Sequence, residues 1–236
     1  MQLIAVNWHI FELLRGQTLT LSLFGRSIDL GAEALGLGTL GLVRVIPIVL
    51  FALLGGMLAD TRNRRTLLLY AEVAAALMAG ALAVLTLLGR ESVLIIYLFT
   101  AALSAVAAFE NPSRQSLVPH LVPPEHFSNA VSVQTLTWTT AAIIGPALAG
   151  LLVAYVDTGV VYALNALSFL AVVVSLLMMR YRGQVAASSA GLGLGSLLAG
   201  LRFVFRTPII SSTMLLDFIA TFFSSARTML PIIAGD

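Results

Sequence analysis

Gly55-Gly56-Met57-Leu58-Ala59-Asp60-Thr61-Arg62-Asn63-Arg64-Arg65 lies between two long apolar runs, and its order of residue types decides how the chain on either side must fold. Adjacent glycines let helices approach closely, an acid then marks a membrane edge, and three arginines within four residues need water. The stretch therefore reads as a short loop at a membrane surface, joining two spanning helices. Asn63 falls between two arginines in the tightest part, where a residue that tolerates the left-handed conformation is useful.

Composition agrees with a membrane protein. Of 236 residues, 59% are hydrophobic and only 10% charged, with mean hydropathy +0.99, whereas a soluble domain carries about 25% charged residues. The net charge of +2 comes from arginine, for the chain has no lysine. Such basicity belongs to membrane-edge loops and implies no nucleic-acid partner. The absence of cysteine excludes disulfides, thiol nucleophiles and Cys-ligated metals. His9, His120 and His126 form no metal-ligand pattern, since Pro123 and Pro124 break the single helical face that a zinc-protease motif needs. Neither a Gly-x-Ser-x-Gly elbow nor a phosphate-binding Gly-Lys-Ser occurs. The sequence points away from an enzyme, and no cofactor is expected.

Outward from the Arg-rich loop, residues 36–59 form the second span, interrupted by Arg44 and Pro47, and 66–88 the third. Upstream, residues 1–14 are apolar but too short to cross a core of about 30 Å, so they read as the tail of a first helix. Residues 15–35, with Arg26, Asp29 and Glu33, are too polar to span and are treated as an insertion. Downstream, 93–109 is the fourth span. Glu110 to Gln115, with Pro112, Pro119, Pro123 and Pro124, is expected as a loop with short helical pieces. Residues 130–156 and 160–179 are the fifth and sixth spans. A Gly, Ser and Ala-rich linker follows, then an amphipathic stretch over 196–206 suited to the membrane interface, and 209–233 is a seventh span. The expected domains are a bundle over 1–179, a linker over 180–208 and the first helix of a second bundle over 209–236. Loops after the second, fourth and sixth spans hold Arg62, Arg64, Arg65, Arg114, Arg180, Arg182, Arg202 and Arg206, while those after the third and fifth hold only Arg90. By the positive-inside rule the Arg-rich loops face the cytoplasm; Arg15 and Arg26 run against it.

Gly56, Leu58, Ala59, Asp60, Arg64 and Arg65 stand as in the signature loop of the major facilitator superfamily, Gly-x-Leu-Ala-Asp-Arg-x-Gly-Arg-Arg, which the stretch resembles; Thr61 and Asn63 depart from it. Asn111-Pro112-Ser113-Arg114-Gln115 is similar to an Asn-Pro-Ala-Arg-Gln stretch in facilitators related to enterobactin exporters and macrolide efflux pumps. Gly145-Pro146-Ala147-Leu148-Ala149-Gly150 resembles the antiporter motif of facilitator exporters, with alanines for two expected glycines. The resemblance implies an all-α six-helix bundle with an incomplete first helix, plus a seventh helix, in a chain that continues at both ends. It implies proton-coupled efflux of a small drug-like or siderophore-like molecule through a bacterial cell membrane, with Gly56, Asp60, Arg64, Arg65, Glu110, Asn111, Pro112, Arg114, Gly145, Pro146 and Gly150 as motif and gating residues. In the family pattern, Arg64 is expected to pair with Glu110 beside Asp60. A non-transporting scaffold or inactive fragment is the alternative.

Ionisable residues inside spans are functional candidates. Glu72 is either a proton-linked carboxylate or an acid hydrogen-bonded near the inner surface. Asp217 and Arg227, nearly three turns apart, are candidate path residues on the seventh span. Arg44 faces a cavity or snorkels outward, and sequence leaves both open.

Overall fold

The computed structural model describes the backbone of residues 1–23, 26–181 and 202–224, and the side chains in those ranges other than 19–30, 60 and 221–224. The chain divides into two compact units, Met1–Val185 and Ala186–Asp236. In the first, α1 (Gln2–Leu14), strands β1 (Thr18–Leu23) and β2 (Arg26–Gly31), α2 (Ala32–Thr61), α3 (Arg64–Leu87), α4 (Val93–Leu117), α5 (Phe127–Tyr155) and α6 (Thr158–Met178) follow in order. Short 3-10 turns at Val118–His120 and Pro124–His126 join α4 to α5. In the second unit, residues 202–206 are helical and α7 covers Pro208–Ser224.

Among the described residues five helices, α2 to α6, are long and apolar enough to cross a membrane. Even α6, with 21 residues, matches a core of about 30 Å at 1.5 Å per residue. Leu42, Val49, Leu77, Leu136, Ile143 and Leu167 are exposed on the outer faces. So much apolar surface is at home in lipid, and the protein is an all-α polytopic membrane protein with one small hairpin.

Of the spanning helices α3 is the most enclosed; it packs against α6 and α4, while α2 packs along α4. Ala71, Ala75, Ala79 and Ala83 are buried every fourth residue of α3, a small-residue stripe that lets neighbouring backbones close in. A Cβ on Gly159, at the start of α6, would stand 2.8 Å from Leu87 Cγ at the end of α3, so the two helices run antiparallel in close contact. At the other end Leu68, Leu117 and Leu176 form a buried cluster that ties α3, α4 and α6 together.

The structure adds to one expectation and changes two. Residues 15–35, expected as an insertion, hold an antiparallel hairpin in which Thr18↔Gly31 to Leu23↔Arg26 pair, and Thr-Leu-Thr-Leu-Ser-Leu alternates with the period of two that strands require. α2 then begins at Ala32, four residues before the expected start. The fourth span does not end at Phe109 but runs through Pro112 to Leu117. Pro112 removes the hydrogen bond to the Ala108 carbonyl, and that carbonyl faces Gly55 of α2, where a Cβ would stand only 2.1 Å from its oxygen. Glycine permits the contact, which gives the freed carbonyl a weak C–H donor. Ser113 Oγ also donates to the Phe109 carbonyl at 2.7 Å, reinforcing the same turn.

Candidate functional site

The sharp turn between α2 and α3 is only Arg62-Asn63, because Gly55 to Thr61 form the last turns of α2. Thr61 Oγ1 donates to the Met57 carbonyl at 2.8 Å, so the residue standing in place of a motif arginine secures the helix end. Asn63 is not left-handed: at φ −60° and ψ 111° it is the N-cap of α3, and its side chain accepts from Thr66 N. A polar side chain satisfying a free amide is what this position requires.

The arginines that follow fasten the bundle. Arg65 donates from Nε to the Leu176 carbonyl at 2.8 Å, from Nη2 to Leu177 at 3.1 Å and from Nη1 to Tyr181 at 3.3 Å. Leu176 and Leu177 end α6, where carbonyls lack intrahelical partners, and a cation there also meets the negative end of the helix dipole. Arg64 donates from Nε to the Ala59 carbonyl at 3.3 Å and bonds through Nη1 to His120 Nε2. The expected Arg64–Glu110 pair does not form. Glu110 instead accepts from Arg114, one helical turn away on α4, at 2.5 Å. The i, i+4 spacing brings that pair together on one helix. The side chain of Asp60 lies outside the described residues.

Arg114 is the centre of the charge cluster. The same Nη2 donates to Glu72 Oε1 of α3 at 2.6 Å. Glu72 has no exposed surface, and its Oε2 and the Nε of Arg114 are buried without a partner among the described residues. Two carboxylates therefore share one guanidinium, leaving one net negative charge that a single proton would cancel.

Glu110 also lines a cleft of about 270 Å³ between α1, α2, α3, α4 and α6. Thr100, Leu103, Ser104, Ala107 and Glu110 form one face of α4 along it. Ten residues at 1.5 Å give that wall a length of about 15 Å, half the thickness of a bilayer core. Arg44 of α2 lines the cleft as well. Its Nη2 donates to Asn7 Oδ1 of α1 at 2.9 Å, so the arginine turns into the bundle. Nearby on α1, His9 Nδ1 shares a 3.1 Å hydrogen bond with the buried Tyr162 hydroxyl of α6. Sequence reasoning missed this polar seam; the signal present was Asn7 and His9 in an otherwise apolar helix that is buried on most sides.

The remaining motif residues are dispersed. A Cβ on Gly56 meets nothing within 4 Å, so the glycine required for contact is its neighbour Gly55, which faces α4. Asn111 is exposed on α4. In α5 Pro146 and Gly150 are exposed, and a Cβ on Gly150 meets nothing within 4 Å. The residue buried there is Ala149, because α5 turns that position inward. Gly145 borders a second cavity, of about 690 Å³, with Thr137, Thr140, Asn165 and Ser168. Asp217 is exposed on α7, and Arg227 lies outside the described residues.

The profile of the transmembrane secretion effector family matches residues 30–236. The chain is similar to the multidrug efflux pump Tap of Mycolicibacterium fortuitum, 25% identical over 199 residues that cover 80% of this chain and 48% of that protein. It is similar to the enterobactin exporter EntS of Salmonella choleraesuis, 29% identical over 182 residues, 77% of this chain and 44% of the exporter. A third relative is the uncharacterized MFS-type transporter YfiS of Bacillus subtilis, 27% identical over 151 residues, 64% of this chain and 34% of that one. The chain thus spans less than half the length of these relatives. No solved structure matches it.

Proposed function

Because the chain belongs to the transmembrane secretion effector family of the major facilitator superfamily, a superfamily of transporters and not enzymes, we propose that it forms one wall of a secondary active exporter that moves a small molecule outward in exchange for protons. The direction is supported by the relatives named as an efflux pump and an exporter. Proton coupling rests on one observation: Glu72, fully buried, shares Arg114 with Glu110. An unbalanced charge in a dry site is costly, so a cluster with one acid in excess has reason to take up a proton and, when water reaches it, to release one.

The Arg-rich end of the bundle faces the cytoplasm of a bacterial cell membrane, following the placement of Arg62, Arg64, Arg65 and Arg114. Substrate enters the cleft from that side. A second bundle closes the path opposite α1 and α4, and access alternates as the two rock. Asp60 and the arginine anchors hold the closed end, the small residues of α5 serve the antiporter segment, and Asp217 and Arg227 belong to the path from the second bundle's side.

Everted membrane vesicles containing the intact protein test this. With a panel of anionic, neutral and cationic amphipathic dyes, the wild type is expected to accumulate at least one dye when the lumen is acidified. Glu72→Gln is expected to keep dye-for-dye exchange but to lose accumulation driven by the pH gradient. Undiminished gradient-driven accumulation in Glu72→Gln would overturn the coupling.

A further inference from the structure

The cleft carries a second feature that proton exchange leaves unused. Arg44 stands in the middle of a spanning helix, and among the described residues no carboxylate lies within ion-pair distance of it. Its one hydrogen bond there goes to the neutral oxygen of Asn7. A guanidinium has five donors in a planar fork, and the nitrogens not bonded to Asn7 are not sealed in protein, since none is buried without a partner. They are available along the cleft that Arg44 lines.

Thr100 is the independent observation. It is 6% exposed, it lines the same cleft, and its Oγ1 has no partner among the described residues. Helical hydroxyls in this protein normally bond back to the preceding turn, as Thr39, Thr135, Thr137 and Ser175 do at 2.8 to 2.9 Å. A buried hydroxyl that forgoes that bond has a donor to spare; among the described residues Thr86 is the other threonine in that state, and of the two it is Thr100 that lines the cleft.

From these we infer that the cleft binds the carboxylate of an amphipathic anion, with Arg44 and Thr100 as its donors and the apolar surface of Leu3, Val6, Leu103 and Phe169 against its body. This names a substrate class for the exporter and rests on that proposal. The orientation follows from charge. Glu110 lies ten residues along the same face of α4, so a carboxylate placed at that end would meet a like charge, whereas at Arg44 it meets an unmatched cation. Arg44 and Thr100 come from different helices, so the cleft is lined by both only when α2 and α4 are packed as found.

Two probes that differ only in the charge at one end provide the test: dansylglycine, which ends in a carboxylate, and dansylglycinamide, which ends in a neutral amide. Binding is followed by dansyl fluorescence on the intact protein in lipid nanodiscs, with no proton gradient. A charge-assisted bidentate contact separates the two by roughly tenfold or more, and the wild type is expected to prefer dansylglycine to that extent. Arg44→Gln should abolish the preference, with dansylglycine losing the affinity that separates it from dansylglycinamide. Arg44→Lys should keep part of it, and Thr100→Val should lower it about threefold. A thermal melt of each variant confirms folding, and if Arg44→Gln fails to fold, Thr100→Val and Arg44→Lys decide. Equal binding of the two probes by the wild type, absence of saturable dansylglycine binding, or a preference unchanged in the folded variants overturns the inference. Because no gradient is used, loss of proton coupling would leave this preference intact, and the two failures are distinguishable.

Discussion

Arg114 and Arg44 touch the same region of the bundle in opposite company. Arg114 lies between two carboxylates, Glu72 and Glu110, with Nη2 within 2.6 Å of both. Arg44 has, among the described residues, only the amide oxygen of Asn7 at 2.9 Å. One end of the cleft is thus short of positive charge and the other short of negative charge. An isolated bundle gains nothing from such a mismatch, for a charge at mid-membrane depth costs about 3 kcal/mol even on lenient scales. An exporter does gain, because a proton can neutralise the first site and a substrate anion the second. The two sites differ in what completes them, and that difference can be attacked experimentally.

The largest effect is expected at Arg114. Arg114→Gln leaves two neighbouring carboxylates without their cation and should cost about 3 kcal/mol in folded stability, less than a fully buried pair would lose because Arg114 is 35% exposed at its side chain. Adding Glu72→Gln should recover much of that loss, and unfolding titrations of the singles and the double measure the coupling. Strict additivity would mean the two are not linked. Arg44→Gln, by contrast, should not destabilise the fold, since it removes a mid-membrane charge that has no partner of opposite sign among the described residues. If Arg44→Gln proved as damaging as Arg114→Gln, the asymmetry between the two arginines would be wrong.

A smaller effect belongs to Arg65. Arg65→Gln gives up donors to the Leu176, Leu177 and Tyr181 carbonyls at the partly wet end of α6 and should cost about 1 to 2 kcal/mol. Hydrogen exchange should rise in the last turn of α6 and not in α2. A uniform rise across the bundle would deny Arg65 its role as a local anchor. Orientation can be checked with no loss of stability, because the chain has no native cysteine. Asn63→Cys is expected to be shielded from an impermeant thiol reagent added outside the cell, and Ser92→Cys and Thr158→Cys to react.

Most of the membrane architecture was legible in the sequence, since span length, loop arginines and the small-residue helix end all report on a one-dimensional property, depth in the bilayer. What failed was three-dimensional. Pro112 reads as a helix breaker until Gly55 is seen packed on the carbonyl it frees. Asn63 reads as a left-handed turn until its side chain is seen capping α3. Glu72 and Arg114 are 42 positions apart, and no spacing rule reveals that their helices rotate them together. The family pattern pointed to Arg64 for Glu110, but a nearer arginine on the same helix takes that place. The hairpin is a different case: alternation over Thr18–Leu23 is present in the sequence, beside charged residues whose polarity masks the period.

Infrared difference spectroscopy of the intact protein in lipid, stepped in pH, tests whether the Glu72–Arg114–Glu110 cluster takes up and releases a proton. Because the chain has 11 acidic residues, the wild type is compared with Glu72→Gln/Glu110→Gln, and the wild type should show an additional protonated-carboxylic-acid carbonyl stretch that grows as pH falls and is missing from the double variant. The same titrating carboxyl bands in the wild type and the double variant would overturn proton uptake by the cluster.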